Sequence, residues 1–184
     1  VIKLLAVAHN TDKGIEVGVY PVLLGKEHPL SSVRDSFNAV FVHGDAVDDA
    51  MFYGRGAGEL PTASAVVGDI FDIARNLQYE CCGRISCPCY KQLPIKAMDD
   101  ICSKYFLRML VENEPGVLAA VTAVFGDRKV SIEQIIQKKK IGELAEIVVI
   151  TEKVKERHVK DSLKVFEEME AVKKVSSVIR VYGE

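Results

Sequence analysis

The sequence predicts an α+β fold: an antiparallel or mixed sheet with one helix, followed by a ferredoxin-like βαββαβ domain. Three observations carry this. From Tyr105 onward the hydrophobic period switches in the order strand, helix, strand, strand, helix, strand. Before it, two pairs of Val-, Ile- and Leu-rich segments flank hairpin turns, and a helical stripe follows them. Between the two regions, cysteines and prolines break every periodicity. The expected division is therefore residues 1–80, a connecting stretch 81–103, and a complete small domain 104–184.

Each element has its own signal. "VIKLLAVAHN" and "IEVGVYPVLL" are strand-like, and Asp12 and Gly14 in the "TDKG" between them suit a hairpin turn. "NAVFVHG" alternates around Val40 and Val42, "GDAVDD" turns, and "AMFYG" returns, so one sheet of about four strands is expected. Val66, Ile70, Ile73 and Leu77 then recur at helical spacing beside Ala63, Val67 and Ala74, the stripe of a helix lying on a core, with Pro61 in its first turn. In the last region "YFLRMLVE", "VSIEQIIQ", "AEIVVIT" and "VSSVIRVYG" read as strands. "PGVLAAVTAVFGDRK" reads as a helix with Val117, Val121, Val124 and Phe125 on one face. "KERHVKDSLKVFEEME" reads as another, with Val159, Leu163, Phe166 and Met169 inward.

Composition narrows the function classes. A chain of 184 residues with 48% apolar content buries one or two cores, and a net charge of -2 gives no electrostatic reason to expect nucleic acid or an anionic membrane as partner. No apolar run reaches the roughly 20 residues of a bilayer-spanning helix, and no charged-then-apolar leader precedes a cleavage site, so a cytoplasmic protein is expected. The chain opens at Val1, without Met, directly in a strand-like segment, and a portion of a longer protein is expected.

Gly54, Gly56 and Gly58 crowd the handover from a strand to a helix N-terminus, where free NH groups and the positive end of the helix dipole attract a phosphate or carboxylate. The spacing fails the dinucleotide fingerprint, because the third glycine would stand at position 59, which is Glu59. Spacing alone therefore leaves two readings open: positive φ angles with close packing, or a ligand contact. "HPLSSV", "FNAVFVHGDAV", "MFYGRGAGELPTASAVVGD" and "IKLLAVA" together resemble the closing part of the catalytic region of homoserine dehydrogenase, over essentially residues 1–78. That resemblance implies that the glycine turn touches a nicotinamide cofactor, NAD or NADP, with Gly58 first, then Gly56 and Gly54. It also implies that the Rossmann fingerprint, the catalytic lysine and the homoserine-binding acids precede Val1, so no catalytic residue is assigned in this chain. Lys3, Lys13 and Lys26 are read as solvated. His43 stands where the family commonly has an acidic residue and is read as exposed variation.

Cys81, Cys82, Cys87 and Cys89 are four of the five cysteines, and four thiolates could in principle close a zinc site. Neither half is C-x-x-C, adjacent cysteines chelate one ion awkwardly, and Pro88 stiffens the second pair, so no metal is expected and the stretch reads as a connection with free thiols.

In the last region "ENEPGVLAAV" puts Pro115 at a helix start with Gly116 beside it, exposing NH groups to which a carboxylate could dock. A well-formed turn and nothing more is the other reading. This turn, with "GDRKVSIEQI" after it, makes residues 105–182 resemble an ACT domain, a module that binds free amino acids. The resemblance implies a ligand held between the turn of one copy and the second strand of a paired copy. On this chain that maps to Asn113, Gly116 and Val117, with Ser131 and Ile132 opposite and Gln134 as an addition. Lys138, Lys139 and Lys140 are expected in the solvated turn before Gly142.

Two function classes follow. The first is the C-terminal portion of a homoserine dehydrogenase, which interconverts aspartate semialdehyde and homoserine, with an ACT domain sensing threonine and a homo-oligomeric assembly, a dimer, as the resemblance implies. The second is a stand-alone amino-acid-sensing and dimerisation protein without chemistry of its own.

Overall fold

A computed structural model describes residues 1–81 and 92–183. Along the chain run β1 (Ile2–Thr11), β2 (Gly14–Leu24), β3 (Phe37–Gly44), β4 (Asp48–Arg55), α1 (Glu59–Gln78), β5 (Cys102–Glu112) and α2 (Val117–Asp127). They are followed by β6 (Ile132–Ile141), β7 (Leu144–Thr151), the two-residue β8 (Val154–Lys155), α3 (Glu156–Glu168) and β9 (Val172–Tyr182). Contacts divide them into two compact units, Val1–Gly25 with Leu93–Glu184, and Lys26–Gln92.

In the larger unit, β5, α2, β6, β7, α3 and β9 form the expected ferredoxin-like domain, with sheet order β9-β5-β7-β6 and every neighbouring pair antiparallel. Alternation dictates which side chains go inward. Tyr105, Leu107, Met109 and Val111 on β5 and Ala145, Ile147 and Val149 on β7 face the helices and are buried. They meet Val121 and Phe125 of α2 and Val159 and Phe166 of α3, the two phenylalanines packing edge to face with ring centroids 4.9 Å apart. Thr151 is buried among them because its hydroxyl accepts from the Tyr105 amide at 3.0 Å and donates to the Glu152 carbonyl at 2.9 Å.

The first two strands differ from expectation. Instead of sharing a four-stranded sheet with β3 and β4, the antiparallel hairpin β1–β2 extends the ferredoxin-like sheet, β2 lying parallel to β9 from Val22↔Arg180 to Leu24↔Tyr182. The physical reason is that β9 would otherwise present a bare edge, and pairing it satisfies backbone groups while burying Val22 and Leu24. Part of the expected connecting stretch is also built in. Pro94 O accepts from the Ile15 amide and the Lys96 amide donates to Ile15 O, both at 2.9 Å, while Lys96 pairs with Glu16 at 2.8 Å. The lysine run departs from expectation as well: residues 138–140 continue β6, and the turn is confined to Gly142 and Glu143.

The smaller unit holds the antiparallel hairpin β3–β4, paired from Phe37↔Arg55 to Gly44↔Asp48, and the 20-residue α1. The stripe predicted to lie on a core is bare: Val66, Ile70, Ile73 and Leu77 are 52 to 64% exposed. A hairpin and one helix offer too little apolar surface to bury a helix face. Among the described residues no helix is long and apolar enough to cross a membrane.

Burial therefore separates the two helical stripes energetically. Phe166→Ala, which empties a fully buried site, is expected to lower stability by about 3–5 kcal/mol, whereas Ile73→Ser on the bare stripe should stay within about 0.5 kcal/mol. Urea unfolding of the two variants measures the difference, and equal losses would contradict the assignment of the core.

Candidate functional site

Two helix starts carry the candidate site residues, one in each unit. In the smaller unit β4 ends at Arg55 and α1 begins at Glu59, leaving Gly56, Ala57 and Gly58 as the whole connection. The Gly56 amide donates to Ser36 O at 3.1 Å, and the Arg55 guanidinium reaches Ser36 Oγ at 3.2 Å and lies 4.9 Å from the centre of the Phe37 ring. These contacts fasten the turn to the entry of β3. Gly58, at φ 126° and ψ 150°, precedes the helix in a conformation essentially reserved for glycine, and no side chain caps the helix.

An open concavity runs over Gly56, Ala57, Gly58, Glu59, Thr62, Ala63, Val66 and Val67. A side chain at Gly54 would project into open space, while one at Gly56 would run into the Asn38 amide group. The surface fits the approach of a flat, mostly apolar ring to bare backbone. It fits a phosphate poorly, because Glu59 sets a carboxylate in the first turn where the anion would sit. Gly56 and Gly58 thus line open backbone, with Gly54 two residues before Gly56 near the end of β4. On the neighbouring hairpin, exposed His43 holds Asp49 at 2.8 Å, and that hydrogen bond raises the imidazole pKa.

In the larger unit the second helix start lies at the end of β5. Gly116 takes the left-handed conformation, φ 92° and ψ -21°, immediately before α2, again with no side-chain cap, and open space surrounds the position of its absent Cβ. The turn is held from behind: the Asn113 amide donates to Glu143 O at 3.1 Å, and Gln137 Nε2 donates to Asn113 Oδ1 at 3.1 Å. A cavity of about 40 Å³ opens here, lined by Val111, Glu112, Asn113, Glu114, Val117, Leu118, Gln137, Ala145 and Ile147.

The structure thus brings Asn113, Gly116 and Val117 together. Ser131 and Ile132 lie elsewhere in the same copy: Ile132 pairs with Thr151 at the far end of β7, whereas Asn113 follows Glu112, the partner of Leu144 at its start. Gln137 belongs to the cavity and Gln134 does not line it. Register shifts on β6 at 132/134 and 137/139 upset the simple alternation by which its inward side chains would be picked out. Cys81 is an exposed free thiol, and Cys82, Cys87 and Cys89 lie outside the described residues. Among the described residues no three His, Cys, Asp or Glu side chains gather as a metal site.

Residues 1–71 match the family model for homoserine dehydrogenase, and residues 105–171 match that for the ACT domain. The homoserine dehydrogenase of Neisseria gonorrhoeae is 40% identical over 186 residues, an alignment covering 98% of this chain and 43% of the relative. That of Bacillus subtilis is 40% identical over 183 residues, covering 98% and 42%. Among solved structures, a homoserine dehydrogenase from Thiobacillus denitrificans superposes with a TM-score of 0.88 at 34% identity, over 98% of this chain and 42% of that one. The chain therefore spans less than half the length of the relatives it matches.

The two inner glycines of the first turn are expected to respond differently to alanine. Gly58→Ala forces a side chain into the glycine-only region and should destabilise the smaller unit by about 1–3 kcal/mol. Gly56→Ala should cost no more than about 0.5 kcal/mol, because the side chain in its way, Asn38, is exposed and free to turn outward. Hydrogen exchange of the α1 amides measures both, and a Gly58→Ala variant as protected as wild type would refute the strained cap.

Proposed function

The chain belongs to the homoserine dehydrogenase family and carries an ACT domain after its dehydrogenase segment, and from that premise we propose a division of labour within the parent protein. The parent interconverts aspartate semialdehyde and homoserine with NAD or NADP in the cytoplasm. Its glycine turn at Gly54, Gly56 and Gly58 contacts the nicotinamide end of the cofactor, and its ACT domain senses threonine at Asn113, Gly116 and Val117. The cofactor, when bound, supplies hydride transfer; this stretch supplies backbone that a ring can approach. Relatives in which both segments run together over 98% of this chain favour this reading over a free-standing sensor.

The observation that carries the effector reading is the charge pattern around Gly116. Helix-start amides without a side-chain cap suit a carboxylate, and Glu114 on the same cavity suits an ammonium group, so a free amino acid matches as a zwitterion. A cavity of about 40 Å³ is far below the several hundred Å³ that enclose small ligands, so one copy forms only part of the wall. The remainder comes from a second copy, which makes the assembly a homodimer or larger and gives Ser131 and Ile132 their place opposite the turn.

Threonine is expected to stabilise the chain by about 2.7 kcal/mol at a hundredfold excess over Kd, a melting shift of roughly 2 to 4 °C per kcal/mol for a protein of this size. Gly116→Val should abolish the shift, Lys138→Ala should retain it, and threonine methyl ester should give none. Differential scanning fluorimetry with a panel of small amino acids decides the matter; an unmoved curve throughout, or a full response from Gly116→Val, would overturn the assignment.

A further inference from the structure

The hairpin β1–β2 lies inside the dehydrogenase-matched segment, yet its buried end is bonded to the last strand of the ACT domain. Side chains from five parts of the chain meet there. The Arg180 guanidinium lies 3.8 Å from the centre of the Tyr20 ring, donates to Glu156 Oε2, and comes within 3.4 Å of Met98 Sδ. Tyr105 donates its hydroxyl to the same Glu156 oxygen at 3.3 Å, and Lys160 pairs with the other oxygen at 3.3 Å. The Arg180 and Glu156 side chains are only 12% and 14% exposed. A planar guanidinium presents its face to a ring and its edge to a carboxylate at once, which an ammonium group does not. Arg180 Nε is buried with no hydrogen-bond partner, a cost that a purely stabilising packing choice would avoid.

Two elements lead from this cluster to the turn at Gly116. β9 carries Arg180 near its end and begins beside the turn, where the Glu112 amide donates to Ala171 O at 2.9 Å and Lys173 pairs with Glu112 at 2.6 Å. α3 carries Glu156 in its first turn and Phe166 near its last, the ring packed on Phe125 of α2. A shift of the β5–α2 turn therefore has two packed routes to Arg180, across about 26 Å of strand and along one helix.

We propose that Arg180 is the positioning residue that couples occupancy of the ACT turn to the hairpin β1–β2 of the dehydrogenase segment. The hairpin and the ACT domain move as one body because the guanidinium holds Tyr20 of the first and Glu156 of the second. The regulatory part rests on the threonine reading above, and the mechanical part does not.

Hydrogen exchange by mass spectrometry on the full 184-residue chain tests both, with Arg180→Met removing the cation and Tyr20→Leu removing only the ring beneath it. Without ligand, the amides of Val22–Leu24 should exchange roughly tenfold faster in each variant than in wild type, while those of β6 and β7 keep their rates. With threonine, wild type should gain protection at both the β5–α2 turn and Val22–Leu24, and the variants at the turn alone. If Arg180→Met fails to fold, Tyr20→Leu decides. Unchanged ligand-free exchange in the folded variants overturns the joint. So does equal threonine protection of Val22–Leu24 in variants and wild type, or protection of the turn without Val22–Leu24 in wild type. Absence of protection at the turn itself overturns the effector reading instead, and the ligand-free rates then judge the joint alone.

Discussion

The larger unit depends on β9 being paired along both edges. A ferredoxin-like sheet ordered β9-β5-β7-β6 leaves β9 at its border, with backbone donors and acceptors that must be paired, solvated or covered. β5 takes one edge over most of its length, and β2 takes the other at Val22, Leu23 and Leu24. Three paired positions are a short seam. Burial of Val22 and Leu24 and the Arg180 contacts to Tyr20 and Glu156 supplement it with side-chain packing, and they fasten the hairpin at the point where the seam is formed.

The helix starts differ in the residue that precedes them. α3 begins from Lys155 in extended conformation, and its Glu156 amide is already taken by Ile101 O at 3.0 Å. The first amide of α2, that of Val117, is likewise taken by Glu114 O, at 3.4 Å. α1 and α2 begin instead from glycines with positive φ and carry no side-chain cap. A glycine there sacrifices the stabilisation that Ser, Thr, Asp or Asn would bring and leaves the backbone approachable. Glu59 stands in the first turn of α1, and Glu114 lies on the cavity beside the start of α2.

The smaller unit shows the same economy in reverse. α1 has a regular apolar stripe and no buried residue, and β3–β4 exposes Val40, Phe52 and Tyr53. These large apolar side chains stand exposed among the described residues. The open concavity at Gly56–Gly58 runs onto the first two turns of that helix.

How much was legible in the sequence follows from which forces leave a residue pattern. Strands β5 to β7 and β9 and helices α2 and α3 each bury one face, and burial of one face writes a period of 2 or 3.6 into the chain, so the βαββαβ order and the inward residues Val121, Phe125, Val159 and Phe166 could be read directly. The turn at Gly116 was legible for a related reason: Pro115 and Gly116 have restricted and expanded backbone freedom that local chemistry alone dictates. The pairing of β2 with β9 was not, because backbone hydrogen bonds between residues more than 150 positions apart use groups common to every amino acid. That Gln137 lines the cavity was hidden by the register shifts of β6, which displace the alternation without any proline or glycine to mark them. The stripe of α1 told which face is apolar and nothing of what lies against it. Local preference and periodicity, then, determined the elements and their faces; the partner of each face and edge was decided by tertiary structure, because pairing is a property of two distant segments and neither encodes it alone.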